Sequence, residues 1–433
     1  MNGQTTRRVA IVGGVRIPFC RSNTFYQDTT NLQMLTASLQ GLVDRFKLDG
    51  KKIDEVFGGA VTTHSKDWNM AREAVLNTTL SPFTNGITLQ QACGTSLQAA
   101  LIGGAKIASG EIDSFIACGA DSTSDAPLVL KRKLAQRLIK LPRAKTFGAK
   151  LKLFKGFSLA ELAPQPPQNA EPKTGLSMGH HCERMAREWN ISRQTQDELA
   201  VASHINAAAA WNEGFFDELV TDFSGVRRDN NVRPDSTLEA VGKLRPAFDR
   251  KSGKGTLTAA NSTPLTDGAS AVLLCSEEWA EQHKLPVLAY LTHGRSASVD
   301  FVDQDEGLLM SPTIAMAEML QKAQLSLQDF DFYEIHEAFA AQVLCTLKAW
   351  ESDEYCRDRL ALNEAMGSID LSKLNIKGGS VAIGHPFAAT GARITSTLAE
   401  MLANTSGLKA GARGVISICA AGGMGVTAIL EKA

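Results

Sequence analysis

Leu89-Gln90-Gln91-Ala92-Cys93-Gly94-Thr95-Ser96, LQQACGTS, is the stretch whose reading decides the fold. Upstream of it, Ile87–Gln91 carries the β-branched and apolar mix of a short buried strand. Downstream, Leu97, Ala100, Leu101, Ala105 and Ala108 recur at helical spacing until Gly110 stops the run. Cys93 therefore falls where a strand turns into a helix, and Gly94 gives the turn room. Unpaired N–H groups at a helix N-terminus favour a nearby anion, which eases thiol ionisation and makes a better nucleophile. A cysteine taken alone is equally a small buried apolar residue, so other parts of the chain have to decide.

On the N-terminal side, Arg8–Val12 reads as a first strand followed by a turn-rich GGVRIPF. Leu32, Leu35, Leu39, Leu42, Val43 and Phe46 form a helical apolar face that ends at Gly50. A strand at Ile53–Phe57 and a helix near Trp68–Thr79 lead into the Cys93 unit, and Ile112–Cys118 is a strand after it. Such alternation predicts an α/β chain with a mostly buried sheet and helices packed on it.

After Pro127 the texture changes. Lys131–Ala160 holds ten Lys or Arg and no acidic residue, and a proline-rich APQPPQNAEP follows. Leu134, Leu138 and Leu141, then Phe147, Leu151 and Phe154, predict two short amphipathic helices with basic polar faces. Helical patterns return at Met178–Trp189 and Gln194–Trp211, the second between Ser192 and Gly214. Sheet-like texture resumes at Gly255–Ala260 and Ala269–Cys275, so 122–250 reads as a loop domain inserted into a first half formed by 1–121 and 251–284.

The second half, 285–433, repeats the order of the first. A helix (Pro312–Ala323), a strand (Asp331–Ile335) and a helix (Ala338–Trp350) precede the glycine-rich KGGSVAIGHPFAATGAR. A helix to about Met401, the strand Gly414–Ile418 and the loop CAAGGMG complete it. Residue identity between the halves is low, so the echo is topological. It places His385 where Cys93 stands in the first half, and two halves packed face to face bring both turns to one cleft.

Composition bounds the class. The 433 residues are 44% hydrophobic and 21% charged, with a formal net charge of −1, as expected of a globular protein and not of a nucleic-acid binder. No apolar run approaches the roughly 20 residues that span a bilayer. MNGQTTRRVAIVGG enters a strand-like run by Val9, which leaves no room for a targeting peptide and predicts a cytoplasmic protein. The eight cysteines have no C-x-x-C pair or zinc spacing and are expected as free thiols. His180, His181 and Cys182 are adjacent and do not share a helix face, so no metal is expected there.

His385, Cys419 and His336 can each be structural alone, yet like Cys93 each falls at a strand end before a turn. One shared site explains all four better than four coincidences. The ordered set QQACGTS, ANSTPLTDGA, HEAFAAQ, GHPFAATGAR and CAAGGMG resembles the thiolase family across nearly the whole chain. Within it, HEAF where most members have NEAF, together with the basic insertion, is similar to the β subunits of fatty-acid oxidation (trifunctional) complexes. CAAGGMG departs mildly from the family's more usual loop, and a backbone N–H survives there. The resemblance implies a duplicated α-β-α-β-α layered fold and thiolysis of 3-ketoacyl-CoA by CoA. It implies Cys93 as acylated nucleophile, His385 as its base and Cys419 as the second acid/base. It gives one oxyanion to His336, with His385 or a water, and the other to the backbone N–H groups of Cys93 and Ala421. It also assigns Arg233 and Thr263 to the nucleotide or pantetheine of CoA, and Met178 and Phe339 to the acyl or pantetheine path. Coenzyme A is then a substrate, with no cofactor and no metal. A homodimer or higher assembly is implied, with a hydratase–dehydrogenase (α) subunit as a possible hetero-oligomer partner. Docking to that subunit or to a membrane is expected of 131–160.

Two other classes stay open on the sequence: a biosynthetic acetoacetyl-CoA thiolase, and a non-catalytic thiolase-fold protein that binds acyl-CoA or scaffolds a complex. A dinucleotide-binding oxidoreductase is disfavoured, because GGVRIP lacks G-x-G-x-x-G spacing.

Overall fold

Alternate residues of the first strand, β1 (Val9–Arg16), feed different cores. Val9 and Ile11 join one apolar cluster, Ala10 and Val12 another, so both faces of the strand are covered. The computed structural model describes residues 6–304 and 306–433, which leaves the first five residues of the targeting-peptide argument outside the described residues. The strands that follow are β2 (Cys20–Arg21), β3 (Glu55–Gly59), β4 (Asn85–Thr88), β5 (Ser114–Asp121) and β6 (Thr266–Ser276). The rest are β7 (Ala289–Ser298), β8 (Phe332–Ile335), β9 (Arg413–Ala420) and β10 (Met424–Lys432). They form one mixed sheet in the order β4-β3-β5-β6-β1-β7-β10-β9-β8, with β2 beside β6.

That order is the same read from either end. β3 and β5 are parallel, as are β8 and β9. β6 is antiparallel to β5 and β1, and β10 is antiparallel to β9 and β7. Even β4 has a vestigial counterpart, since Leu374 makes a parallel bridge to Tyr333 of β8. β1 and β7 join the two half-sheets through a short ladder, Ala10–Tyr290 and Ile11–Ala289.

Helices Asn31–Phe46 and Met70–Leu76 cover the outer face of the first half, where Leu35, Leu39 and Val75 pack on Val12, Ile116 and Leu273. Ser311–Ala323 and Ala340–Trp350 do the same for the second half. Between the half-sheets lie Thr95–Ala108 and Thr390–Asn404, whose Leu97, Ile107, Ile394 and Leu398 share one cluster with Phe115, Val272, Ile416 and Val426. The layers are α-β-α-β-α. Gly391 lets the two central helices touch, because a Cβ there would sit 2.3 Å from the Leu97 nitrogen. Truncating a central side chain such as Leu398 would cost about 2–5 kcal/mol.

Several boundaries differ from the sequence reading. The GGVR expected as a turn continues β1, with a register shift between Ile11 and Gly13 absorbing the glycines. The strand expected at Ile87–Gln91 is β4, shifted upstream and at the sheet's edge, so Ile87 is 41% exposed and not buried. Gly255–Ala260 forms no strand. CAAGGMG is mostly strand, with β9 running through Cys419 and a tight turn at Ala421–Gly423.

Between β5 and β6 come helices Arg132–Lys140, Phe147–Leu153, Met178–Glu188 and Arg193–Asn212. The first two match the two amphipathic patterns. Only Leu134 of their apolar residues is buried, and Ile139, Phe147 and Leu151 are exposed. Arg137 ties the pair down through Glu161, at 3.0 Å, and the Leu153 carbonyl. All eight cysteines are free and buried.

Candidate active site

Cys93 sits on a turn that its neighbours lock. Ala92 adopts φ 46°, a left-handed conformation that costs a non-glycine residue of order 1 kcal/mol. Thr95 holds it there: its Oγ1 accepts from Gln91 N at 2.9 Å and donates to the Ala92 carbonyl at 2.7 Å. The helix begins at Thr95, two residues after the thiol.

His385 reaches the same point from the other half. Gly384, at φ 112°, turns the chain into it. After Pro386 a short 3-10 turn, Phe387–Ala389, precedes the helix that starts at Thr390. His385 Nε2 lies 3.0 Å from Cys93 Sγ, and Nδ1 lies 2.5 Å from Thr390 Oγ1. If Nε2 accepts from the thiol, Nδ1–H donates to Thr390. The backbone is fixed by His385 N donating to Thr266 Oγ1 at 3.2 Å and Ala388 N donating to buried Asp121 at 2.8 Å.

Burial decides the resting protonation. It pushes the Cys93 thiol up to about 12, although the amides of Ala421 and of Cys93 itself point at the sulfur and pull the other way. It holds His385 down to about 3, helped by the Arg393 charge. The amides at this turn ease ionisation, as the sequence reading expected, but desolvation is the larger effect and the net shift is upward, against the lowered thiol that the sequence suggested. The pair rests as thiol and neutral imidazole.

His336 follows β8, with N donating to the Ser417 carbonyl at 2.8 Å. Its ring centre is 4.1 Å from that of His385, tilted by 49°. Nδ1 lies 2.8 Å from Ser380 Oγ, while Nε2 is buried without a hydrogen-bond partner among the described residues. Burial, then His385 and Arg393, hold it well below the usual histidine range. Cys419, next to last in β9, is raised by burial and by the neighbouring Cys93. One nitrogen of each histidine and Cys93 Sγ lie within 4.8 Å of one another. Soft cations take such atoms, but a metal would first have to displace the thiol proton that burial retains.

The remaining candidates divide. Arg233 lines a cavity of about 390 Å³ with Arg21, His204, Asn231, Ser236 and Leu244. Thr263 instead ties the His336 loop, with N and Oγ1 each 3.1 Å from the Ala338 carbonyl. Met178 and Phe339 pack in the cluster that contains Cys419. His180 bonds Ser177, His181 bonds Thr174 and Cys182 enters the core, so the three point different ways. Thr95, Asp121, Thr266, Ser380, Thr390 and Arg393 support the site without having been singled out in the sequence. Thr390 and Arg393 lie inside GHPFAATGAR, but only their contacts distinguish them from other helix residues.

The family profile described as "Thiolase, N-terminal domain" matches residues 9–278, and "Thiolase, C-terminal domain" matches 285–432. The chain belongs to the thiolase family. A 3-ketoacyl-CoA thiolase of Vibrio cholerae is 44% identical over 98% of this chain and 97% of that protein. One of Yersinia enterocolitica is 42% identical with the same coverage. Among solved thiolase structures, Bacillus anthracis acetyl-CoA acetyltransferase superposes with a TM-score of 0.81 at 28% identity, covering 99% of this chain and 100% of that one. Human mitochondrial 3-ketoacyl-CoA thiolase gives 0.80 at 26%, with the same coverage. The thiolase fold thus extends over the whole described chain.

Proposed function

We propose that this thiolase cleaves 3-ketoacyl-CoA with CoA, giving acetyl-CoA and a shortened acyl-CoA through an acyl-Cys93 intermediate. The observation that carries the reading is the 3.0 Å contact between Cys93 Sγ and His385 Nε2, beneath the amides of Cys93 and Ala421. His385 takes the thiol proton as sulfur bonds to the C3 carbonyl. The oxyanion at C3 is met by the two amides, each such donor being worth about 3–4 kcal/mol. The C2–C3 bond then breaks, and its electron pair passes to the acetyl-CoA enolate, whose oxygen faces His336. Cys419 donates its proton to C2, and acetyl-CoA leaves. The Cys419 thiolate then deprotonates incoming CoA, whose sulfur attacks the thioester. His385 returns its proton to Cys93 as the shortened acyl-CoA departs.

CoA is a substrate in this reading, and no cofactor enters. Arg233 and Arg21, in the 390 Å³ cavity, supply positive charge for its phosphates. Met178 and Phe339 border the acyl path, and Thr263 acts there by holding the His336 loop. Relatives named 3-ketoacyl-CoA thiolase support this reading, in which the reaction belongs to the degradation of fatty acids. The division into a first half (1–121 with 251–284), an inserted domain (122–250) and a second half (285–433) assigns the cavity to the insert's junction with both halves. β4 has no strand on its outer edge among the described residues, and Phe83 and Trp68 nearby are each 81% exposed. An edge of this kind suits pairing with a second copy. No described helix is long and apolar enough to cross a membrane, and the cytoplasm is the proposed location. The exposed apolar and basic surface of 131–160 is the proposed contact for an α subunit or an anionic membrane.

Enzyme quenched during turnover, digested and analysed by mass spectrometry, should carry the acyl group on the Cys93 peptide. An adduct on Cys419 or Cys118 instead removes the assignment. Thiolysis rates across short, medium and long 3-ketoacyl-CoAs separate this reading from a short-chain biosynthetic thiolase.

A further inference from the structure

Behind His336 lies a buried polar chain that the reaction described so far does not use. Arg393 is 2% exposed, on the central helix of the second half, and its Nη2 donates to Ser380 Oγ at 2.7 Å. Ser380 Oγ lies in turn 2.8 Å from His336 Nδ1. Three buried carboxyls, Glu334, Glu337 and Asp229, act on the Arg393 charge. Arg393 Nε and Nη1 have no hydrogen-bond partner among the described residues, nor does His336 Nε2.

Counting hydrogens leaves one arrangement that satisfies the most groups. A guanidinium only donates, so Ser380 Oγ accepts from Arg393 and keeps its own hydrogen to give. The acceptor within reach is His336 Nδ1. With that hydrogen on Nδ1's lone pair, neutral His336 must carry its proton on Nε2, the nitrogen with no protein partner. In the opposite tautomer both Nε2 and the Ser380 hydroxyl hydrogen would be left unpaired in the interior. A buried donor without a partner is costly unless a ligand supplies the acceptor.

Resting on the oxyanion reading of His336, we infer that Arg393 and Ser380 are positioning residues that fix His336 as the Nε2–H tautomer. The site thereby presents a donor, and not a lone pair, to the enolate oxygen. Ser380 stands in KGGS and His336 in HEAF, so two residues on separate segments form one functional unit.

Nitrogen-15 histidine NMR of the full chain, with His336 identified by its absence in His336→Asn, reads the tautomer without relying on activity. The expected state is protonated Nε2 and bare Nδ1; protonated Nδ1 overturns the inference. In kinetics, Ser380→Ala should lower kcat by about 10- to 100-fold, the usual size for loss of an orienting partner, with KM nearly unchanged. Ser380→Thr should retain most activity. In a His336→Asn background the same Ser380→Ala change should alter kcat by less than about threefold, because an amide has no tautomer to fix. Equal losses in both backgrounds would mark Ser380 as merely structural. An active His336→Ala would defeat the oxyanion reading itself, while the NMR result for the tautomer would stand.

Discussion

The two turns that meet between Cys93 and His385 are held in different ways. The Cys93 turn is a local object: Thr95 clips Gln91 and Ala92, and the helix starts at once. The His385 turn is a tertiary one. Its backbone hangs on Thr266 and Asp121, and on Ser96, whose Oγ donates to the Ala388 carbonyl at 2.6 Å. A nucleophile needs only a sharp, strained turn, which a few adjacent residues can build. A base must keep a distance to something on another segment, so residues far away in the chain set it.

The sharpest break in this comparison is at the thiol. Cys93→Ser should lower thiolysis by about 10⁴-fold or more while CoA still binds, since the local turn does not need sulfur. A Cys93→Ser variant that no longer binds CoA would show that the turn also shapes the pocket. His385→Ala should slow acylation itself, because the buried thiol at about 12 then has no base.

Cys419 tests whether the second half handles both protons. Cys419→Ala should abolish exchange of the acetyl-CoA C2 hydrogens with deuterated solvent, yet leave some acylation of Cys93. Undiminished exchange would rule out its role. At His336, replacement by Ala should cost about 10²- to 10³-fold in kcat, and replacement by Asn clearly less, as an amide also donates. Equal losses would point to a task an amide cannot do.

The pH dependence of stability sharpens the contrast between the turns. His336 is held below its ordinary value by burial, so the unfolded chain binds its proton first as pH falls. Its contribution to stability is full above about 6.5 and is lost as pH drops below that. Relative to His336→Asn, the native protein should lose about 1.4 kcal/mol per pH unit below 6.5 in denaturant titrations. Taking the difference matters, because Asp121, raised to about 6 by burial, works in the opposite direction. A flat difference between pH 7 and 5 would mean that protons reach His336 in the folded state.

The smallest effect on chemistry belongs to 131–160, which touches neither turn. Reversing Lys150, Lys152 and Lys155 to Glu should weaken binding to an α subunit or to anionic vesicles, by about 1 kcal/mol per charge and less at high salt. Soluble thiolysis of a short substrate should hardly change. Unaffected binding with a lowered rate at limiting substrate would show that the segment steers polyanionic CoA esters instead.

Helix periodicity, the doubled order of elements and the Cys93 turn could be read from the chain because each is encoded by residues within a few positions of one another. The two exposed helices of 131–160 were legible for the same reason. β4 was misplaced because an edge strand and a buried one look alike until its neighbours are known; only the pairing with β3 alone exposes Ile87. The upward shift of the Cys93 thiol was also hidden, since a helix N-terminus is visible in sequence whereas the desolvation that outweighs it is not. Ser380 and Arg393 read as an ordinary loop serine and helix arginine. Their task exists only once packing buries them beside His336, where every hydrogen needs an acceptor and the interior offers very few.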